Sequence, residues 1–149
     1  MMLKMTAIPP AILTALKTLL IKHEGYRRRV YVDTTGNITV GIGHNLSAQD
    51  VDDDIISRWF NEDVEYIYSK MHGTFSWFDE LDDVRKIALL DMAFNLGFKG
   101  FCKFKRLIKD LAAKEYILAS QEIGQSLYAR QVGRRAHRIA LMIATGKMP

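Results

Sequence analysis

Between residues 10 and 43 the spacing of apolar side chains changes from a helical period to a two-residue period. That change restricts the chain to folds that combine helix with sheet. Ile12, Leu13, Leu16, Leu19 and Leu20 recur at helical intervals behind Pro10. Proline suits a first helical turn, where its missing N–H costs nothing, and Gly25 is a natural stop, so Glu24 falls at the end of this first helix. The apolar stretch it belongs to, Met5 to Ile21, is too short to span a bilayer and is interrupted by Pro9, Pro10 and Lys17. No small-residue cleavage motif follows it cleanly, so it reads as a retained helix rather than a signal peptide. Two β-like runs come next, Val30–Val32 and Ile38–Ile42, on either side of the turn-rich Asp33-Thr34-Thr35-Gly36-Asn37. The segment therefore reads as a hairpin. In its second run the period places Ile38, Val40 and Ile42 on one face, expected to be the core face. Thr39, Gly41 and Gly43 fall on the other, low enough to admit a ligand.

The remainder reads as helix. From about Asp52 an apolar stripe runs through Ile55, Ile56, Trp59, Phe60, Val64, Ile67 and Met71. The acids Asp50, Asp52, Asp53 and Asp54 suit the positive end of that helix. Gly73–Asp79 is a break. Leu81 to Leu96 is strongly apolar, expected to be a central helix ended by Gly97, and further helices are expected near 101–113, 115–127 and 134–145. The expected class is α+β in a single domain: a hairpin lobe with the first helix over about 1–50, a connecting helix over about 51–72, and a helical lobe over about 73–149.

Cys102 is the one cysteine, which excludes an intramolecular disulfide. A chain of 149 residues buries roughly 68–70% of its unfolded surface, so packing alone is expected to hold it. The net charge of +4 is unevenly placed: residues 99–149 carry 11 Lys and Arg against 3 acids, with Arg134, Arg135 and Arg138 clustered. A basic lobe fits a polyanionic partner such as nucleic acid, anionic lipid or a bacterial wall polymer, while charge alone is read more simply as a solvated surface. Aromatic residues interleaved with those arginines are sparse, Tyr128 being the nearest, which argues against nucleic acid. His23, His44, His72 and His137 are scattered without metal-ligand spacing. No nucleophile motif surrounds any Ser or Cys102, so no metal and no cofactor is expected.

The two carboxylates of the hairpin region offer a different chemistry. Glu24 ends a helix and Asp33 lies in a turn, and carboxylates in unlike environments can divide acid and base work, as glycoside cleavage requires. The negative end of a helix is a poor place for another negative charge, which suits Glu24 as a proton donor, whereas Asp33 is expected to stay ionised. Thr39 can orient a water. In Gly41-Ile42-Gly43-His44 a ligand can approach the backbone, although the run lacks the third glycine and following helix of a phosphate loop.

Taken together, Glu24-Gly25, Asp33-Thr34, Gly36 and Thr39-Val40-Gly41-Ile42-Gly43-His44 resemble the phage-type lysozymes, glycoside hydrolase family 24. The signature of that family is Glu, eight residues, Asp, five residues, Thr, followed by a Gly-x-Gly-His run. The resemblance continues through Trp59 to Val64, similar to the family's interlobe helix, through Leu81 to Gly97, similar to its buried central helix, and through Arg134-Arg135-Ala136-His137-Arg138 to Gly146. The resemblance implies a lysozyme-like fold and hydrolysis of the β-1,4 bonds of bacterial peptidoglycan. Glu24 is then the general acid, Asp33 the base, and Thr39 the residue that holds the water. It further implies Gly43, Asn45, Phe94, Asn95 and Arg135 as substrate-binding residues, with Arg135 near the catalytic Glu, and His44 with Asp63 as a structural ion pair. The expected partner is peptidoglycan, with no nucleic acid and no stable membrane insertion. The protein is expected to be a monomer that waits in the host cytoplasm as an endolysin and reaches the wall after release. The stretch from His44 to the long helix is shorter than in the family's T-even phage member, and Asn45 stands where an apolar residue is common. Two neighbouring functions share the architecture, a lytic transglycosylase and a non-catalytic peptidoglycan-binding module. Asp33 with Thr39 favours hydrolysis, because a transglycosylase needs no positioned water.

Overall fold

In the computed structural model, which describes residues 7–149, the chain divides into two compact units, one ending at Ile56 and one running from Ser57 to Pro149. Met5, the expected start of the apolar stretch, lies outside the described residues. The architecture is α+β of the lysozyme-like kind, mostly helical with one small sheet.

In the first unit, helix α1 spans Pro10–Glu24 with proline in its first turn. Gly25 ends it at φ +83°, its N–H donating to the Ile21 carbonyl at 2.8 Å. The sheet that follows has strands β1 (Arg27–Val32), β2 (Ile38–Gly41) and β3 (His44–Asn45), antiparallel in that order. β3 extends the expected hairpin by one strand. Val32 faces Ile38 and Tyr31 faces Thr39, but Arg27 faces Gly41, so β1 carries extra residues in a bulge between Arg27 and Tyr31.

The pleat runs opposite to expectation. Thr39 is only 3% exposed, whereas Ile38 is 47% exposed. Thr39 sits in the middle strand with Tyr31 on one side and Asn45 on the other. Its hydroxyl donates to the Asn37 carbonyl at 3.1 Å, so its one polar group is satisfied and its burial carries little penalty. Two-residue alternation fixes which residues share a face but leaves open which face turns inward.

The second unit is helical. α2 (Asp53–Thr74) begins just before it and gives Ile67 and Met71 to its core. It is followed by α3 (Asp83–Leu96), α4 (Phe98–Cys102), α5 (Lys105–Ala112), α6 (Tyr116–Gly124), α7 (Leu127–Val132) and α8 (Arg134–Thr145). α3 is the expected central helix and buries Ala88, Leu89, Met92 and Ala93. The single helix expected over 101–113 is two, α4 and α5. Phe98 and Phe101 both pack on Phe75, with ring centroids 6.1 and 5.9 Å away, while Leu107 and Leu111 enter the core from α5. α7 was not anticipated. Ser126 caps it, accepting from the Ala129 N–H at 3.1 Å, and Gly133 at φ +56° turns the chain into α8.

α3 and α8 are tied end to end by Arg85. Its Nε donates to the Ile143 carbonyl at 2.7 Å and its Nη2 to the Ala144 carbonyl at 3.3 Å, which satisfies acceptors that the end of α8 leaves open. Nη1 pairs with Asp82 at 2.8 Å, and the guanidinium lies 3.9 Å from the Tyr116 ring centroid. Partial burial alone would raise the Asp82 carboxyl. The side-chain and backbone donors of Arg85 outweigh it and hold Asp82 below its ordinary value of 3.8. Arg85→Ala is therefore expected to destabilise the protein by about 2–4 kcal/mol in urea titrations at neutral pH. The part carried by Asp82 is present above the ordinary carboxylate pKa and is lost as pH falls through the depressed folded value. The gap between wild type and variant should accordingly narrow in acid, and a gap that stays constant to low pH would count against the Asp82 pairing.

Candidate active site

All three expected catalytic residues belong to the first unit. Glu24 is the last residue of α1, and its carboxylate lies against the turn between β2 and β3. A Cβ on Gly43 would come 3.1 Å from Glu24 Cγ and 3.2 Å from Glu24 Oε2. Gly43 also has φ +66°, a conformation that side chains other than glycine's disfavour. Its bareness thus serves both the turn and the close approach of Glu24.

Asp33 is held by its own turn. Its Oδ1 accepts from the Thr35 N–H at 2.9 Å, the Thr35 hydroxyl at 2.9 Å and the Asn37 N–H at 2.8 Å. The Asn37 amide nitrogen donates in turn to the Thr35 hydroxyl at 2.8 Å. Donors directed at a carboxylate favour its ionised form. The Asn37 N–H contributes most, and with the Thr35 donors it outweighs desolvation and holds Asp33 below the ordinary carboxylate value of 3.8. These hydrogen bonds all fall on Oδ1, which leaves Oδ2 without a protein donor among the described residues. Thr39, buried on β2, commits its proton to Asn37, so its hydroxyl offers only lone pairs to a neighbouring water. Asn45 lies across from Thr39 and accepts from the Ser47 N–H through its side chain at 2.9 Å. His44 is exposed on β3 opposite Val40.

The remaining expected residues lie in the second unit. Phe94 and Arg135 line one groove of about 370 Å³ with Phe60, Val64, Ile87, Leu90 and Asp91. Asp63 lines a smaller hollow of about 250 Å³ with Tyr66, Ile67 and Phe94, and Asn95 is exposed near the end of α3. The acid that Arg135 meets is Asp91: Nε donates to Oδ1 at 2.7 Å and Nη2 to the Asp91 carbonyl oxygen at 3.4 Å. Thr35, Asn37 and Asp91 were not singled out from the sequence. The first two carried a signal, since Asp followed by Thr, Gly and Asn is the composition of a turn closed by the aspartate side chain. Asp91 carried none, because its partner is 44 residues away. Among the described residues no cluster of His, Cys, Asp or Glu is arranged to hold a metal.

The profile of the phage lysozyme family matches residues 21–138, a span that takes in Glu24, the whole sheet and the start of α8. The chain belongs to the phage lysozyme family. That membership makes it a glycosidase-type hydrolase. It is similar to two proteins of Dictyostelium discoideum named probable T4-type lysozyme 2 and probable T4-type lysozyme 1. Each is 24% identical, with 91% of this chain and 96% of the relative covered. It is also 27% identical to the pre-baseplate central spike protein Gp5 of Enterobacteria phage T4, over 87% of this chain and 28% of that protein.

The turn of this lysozyme-family chain makes a direct prediction. Thr35→Val removes the hydroxyl donor to Asp33 and strands the Asn37 amide, so the Asp33 pKa should rise toward the ordinary carboxylate range. Thr34→Val, at an exposed neighbour, should leave it in place. Carbon-detected NMR titration of the carboxyl reads both, and an unmoved Asp33 in Thr35→Val would show that the backbone donors alone hold it.

Proposed function

We propose that this chain is a lysozyme that hydrolyses the β-1,4 bonds between N-acetylmuramic acid and N-acetylglucosamine in bacterial peptidoglycan. The observation that carries this reading is the unlike setting of two carboxylates in one unit. Asp33 is kept ionised by its turn donors, and Glu24 lies at a helix end against a residue with no side chain. Glu24 protonates the leaving glycosidic oxygen. Asp33, through its free Oδ2, takes a proton from a water whose second hydrogen is accepted by Thr39. The water attacks the anomeric carbon, the glycosidic bond breaks, and the product carries a new reducing end of inverted configuration. Inversion needs room for that water, which corresponds to a carboxyl separation of about 6.5–9.5 Å. Gly43, Asn45, Phe94, Asn95 and Arg135 serve the sugar chain, His44 and Asp63 keep the structural role that the resemblance gives them, and an endolysin acting on the wall after release is the matching biology. Among the described residues no helix is long and apolar enough to cross a membrane.

Glu24→Gln should lower wall lysis by about a hundredfold or more with unchanged thermal unfolding, because an amide cannot supply the proton. Mass spectrometry and early-time NMR of products from purified peptidoglycan should show reducing ends of inverted configuration. A 1,6-anhydro end would instead mean a transglycosylase, and no cleavage by the folded protein a binding module. Gly43→Ala should cut lysis by at least about tenfold and cost about 1–2 kcal/mol of stability, since the new methyl meets Glu24 in a disfavoured backbone conformation. Full activity in Gly43→Ala would show that the close approach of Glu24 is dispensable.

A further inference from the structure

We infer that Asn45 is a further catalytic residue: its side-chain amide nitrogen donates to the water held by Asp33 and Thr39 and so fixes the direction in which that water attacks. The inference rests on the proposed hydrolysis, in which Asn45 then serves the sugar chain through the attacking water. Every residue of the arrangement belongs to the first unit.

Thr39 stands in the middle strand, opposite Tyr31 of β1 and opposite Asn45 of β3. Directly opposite residues of an antiparallel ladder share a face, and along a strand that face returns every second residue. The Asp33 N–H donates to the Asn37 carbonyl at 2.9 Å, which carries the β1–β2 ladder one step past the Val32–Ile38 pair. Asp33, Asn37, Thr39 and Asn45 therefore lie on one face. The Asn37 carbonyl accepts the Thr39 hydroxyl as well, at 3.1 Å, so Asp33 and Thr39 meet on a single oxygen. On the other side of Thr39 the Leu46 N–H donates to the Ile38 carbonyl at 2.7 Å. That makes Ile38–Leu46 a hydrogen-bonded pair and Thr39–Asn45 the non-hydrogen-bonded kind. In such a pair the Cα atoms stand about 4.5 Å apart and the side chains are close.

The amide of Asn45 is not free to turn. Its Oδ1 accepts from the Ser47 N–H at 2.9 Å. A backbone N–H is met by the amide oxygen and never by the NH2, so this bond also settles which end is nitrogen. The Ser47 hydroxyl accepts from the Ile38 N–H at 2.9 Å, which anchors the same turn to β2. Asn45 is half-buried, and its Nδ2 has no partner among the described residues. Thr39 and Asp33 Oδ2 both offer lone pairs, so a water between them turns its two hydrogens toward them. Its own two lone pairs remain. Nδ2, a free donor on the same face, takes one of them. The other then points at the anomeric carbon. As it bonds there, Asp33 takes the first hydrogen, Glu24 gives its proton to the leaving oxygen, and the glycosidic bond breaks. Setting that direction before the reaction removes part of its entropic barrier.

The test compares wild type, Asn45→Asp and Asn45→Ala in steady-state hydrolysis of purified peptidoglycan, with thermal unfolding and carbon-detected NMR titration of Asp33 alongside. Asn45→Asp keeps an oxygen for the Ser47 N–H but has no amide donor, whereas Asn45→Ala lacks both and adds no charge. Both should lower kcat about tenfold, with the half-saturating substrate concentration within about twofold of wild type. Asn45→Asp should unfold with wild type and Asn45→Ala at a lower temperature. The new carboxylate of Asn45→Asp should raise the Asp33 pKa by about one pH unit, because like charges facing one water disfavour each other. Asn45→Ala should leave it in place. Wild-type kcat in Asn45→Asp would leave Asn45 a turn residue. A raised half-saturating concentration at unchanged kcat would make it a direct sugar contact. An unmoved Asp33 in Asn45→Asp would put residue 45 out of reach of the water. Each of these results overturns the inference while wild-type hydrolysis stands. A folded wild type that releases no reducing ends overturns the proposed hydrolysis instead, and the inference falls with it. Should Asn45→Ala fail to fold, Asn45→Asp decides through its kcat and the Asp33 titration.

Discussion

One carboxylate oxygen, Asp33 Oδ1, sets the geometry of the first unit. Three donors converge on it from Thr35 and Asn37, and the backbone of the same residue closes the turn, with Asp33 N–H donating to the Asn37 carbonyl at 2.9 Å and Gly36 N–H to the Asp33 carbonyl at 3.1 Å. That closure fixes Val32 opposite Ile38 and hence Tyr31 opposite Thr39. A slip of one residue would turn every side chain of β2 to the other face, taking Thr39 out of the interior and Gly43 away from Glu24. The same three bonds that build the turn also keep Asp33 charged. Scaffold and charge therefore share one set of hydrogen bonds, and Oδ2 is left without a protein donor among the described residues.

Parts of this arrangement are legible in the sequence because they are local. Pro10 and Gly25 bracket α1, Gly97 ends α3, and Arg134 to Thr145 forms α8 as its pattern predicts. The Asp33 turn is readable from its composition, and the spacing from Glu24 to Thr39 carries the resemblance to the family whose profile matches residues 21–138. Other features are illegible for a physical reason. β3 has two residues, too few for any periodicity. α7 has six and depends on the Ser126 cap, while α4 and α5 part because two sets of apolar residues face different neighbours. The inward turn of Thr39 depends on strands on both sides. The pairing of Asp91 with Arg135 depends on the packing of α3 on α8, which no window along the chain contains.

The basic surplus of the last third also takes on a different meaning. Eleven lysines and arginines there suggested general attraction to a polyanion. Some do stand free, such as Lys103, Lys105 and Arg106 around the start of α5, where positive charge opposes the helix dipole and is tolerated only because solvent screens it. Arg135 is different in kind, since its charge is paired with Asp91 at 2.7 Å.

The contrast between the two arginines of α3 and α8 shows how one residue type serves two ends. Each reaches from one helix to the other, Arg85 from the start of α3 to the last carbonyls of α8, Arg135 from the start of α8 back to the middle of α3. Lysine could do neither task, because a point charge on a flexible stem has no plane to fix. What separates the two sites is the number of acceptors supplied. Where the fold offers acceptors on several sides, as around Arg85, the partly buried guanidinium becomes a clamp and its removal is a stability event. Where the fold offers one residue, as around Arg135, the pair with Asp91 stays at the surface and contributes little to stability. Burial makes the difference: an unmet donor is costly at Arg85, 16% exposed, whereas water can meet the spare donors of Arg135, 41% exposed.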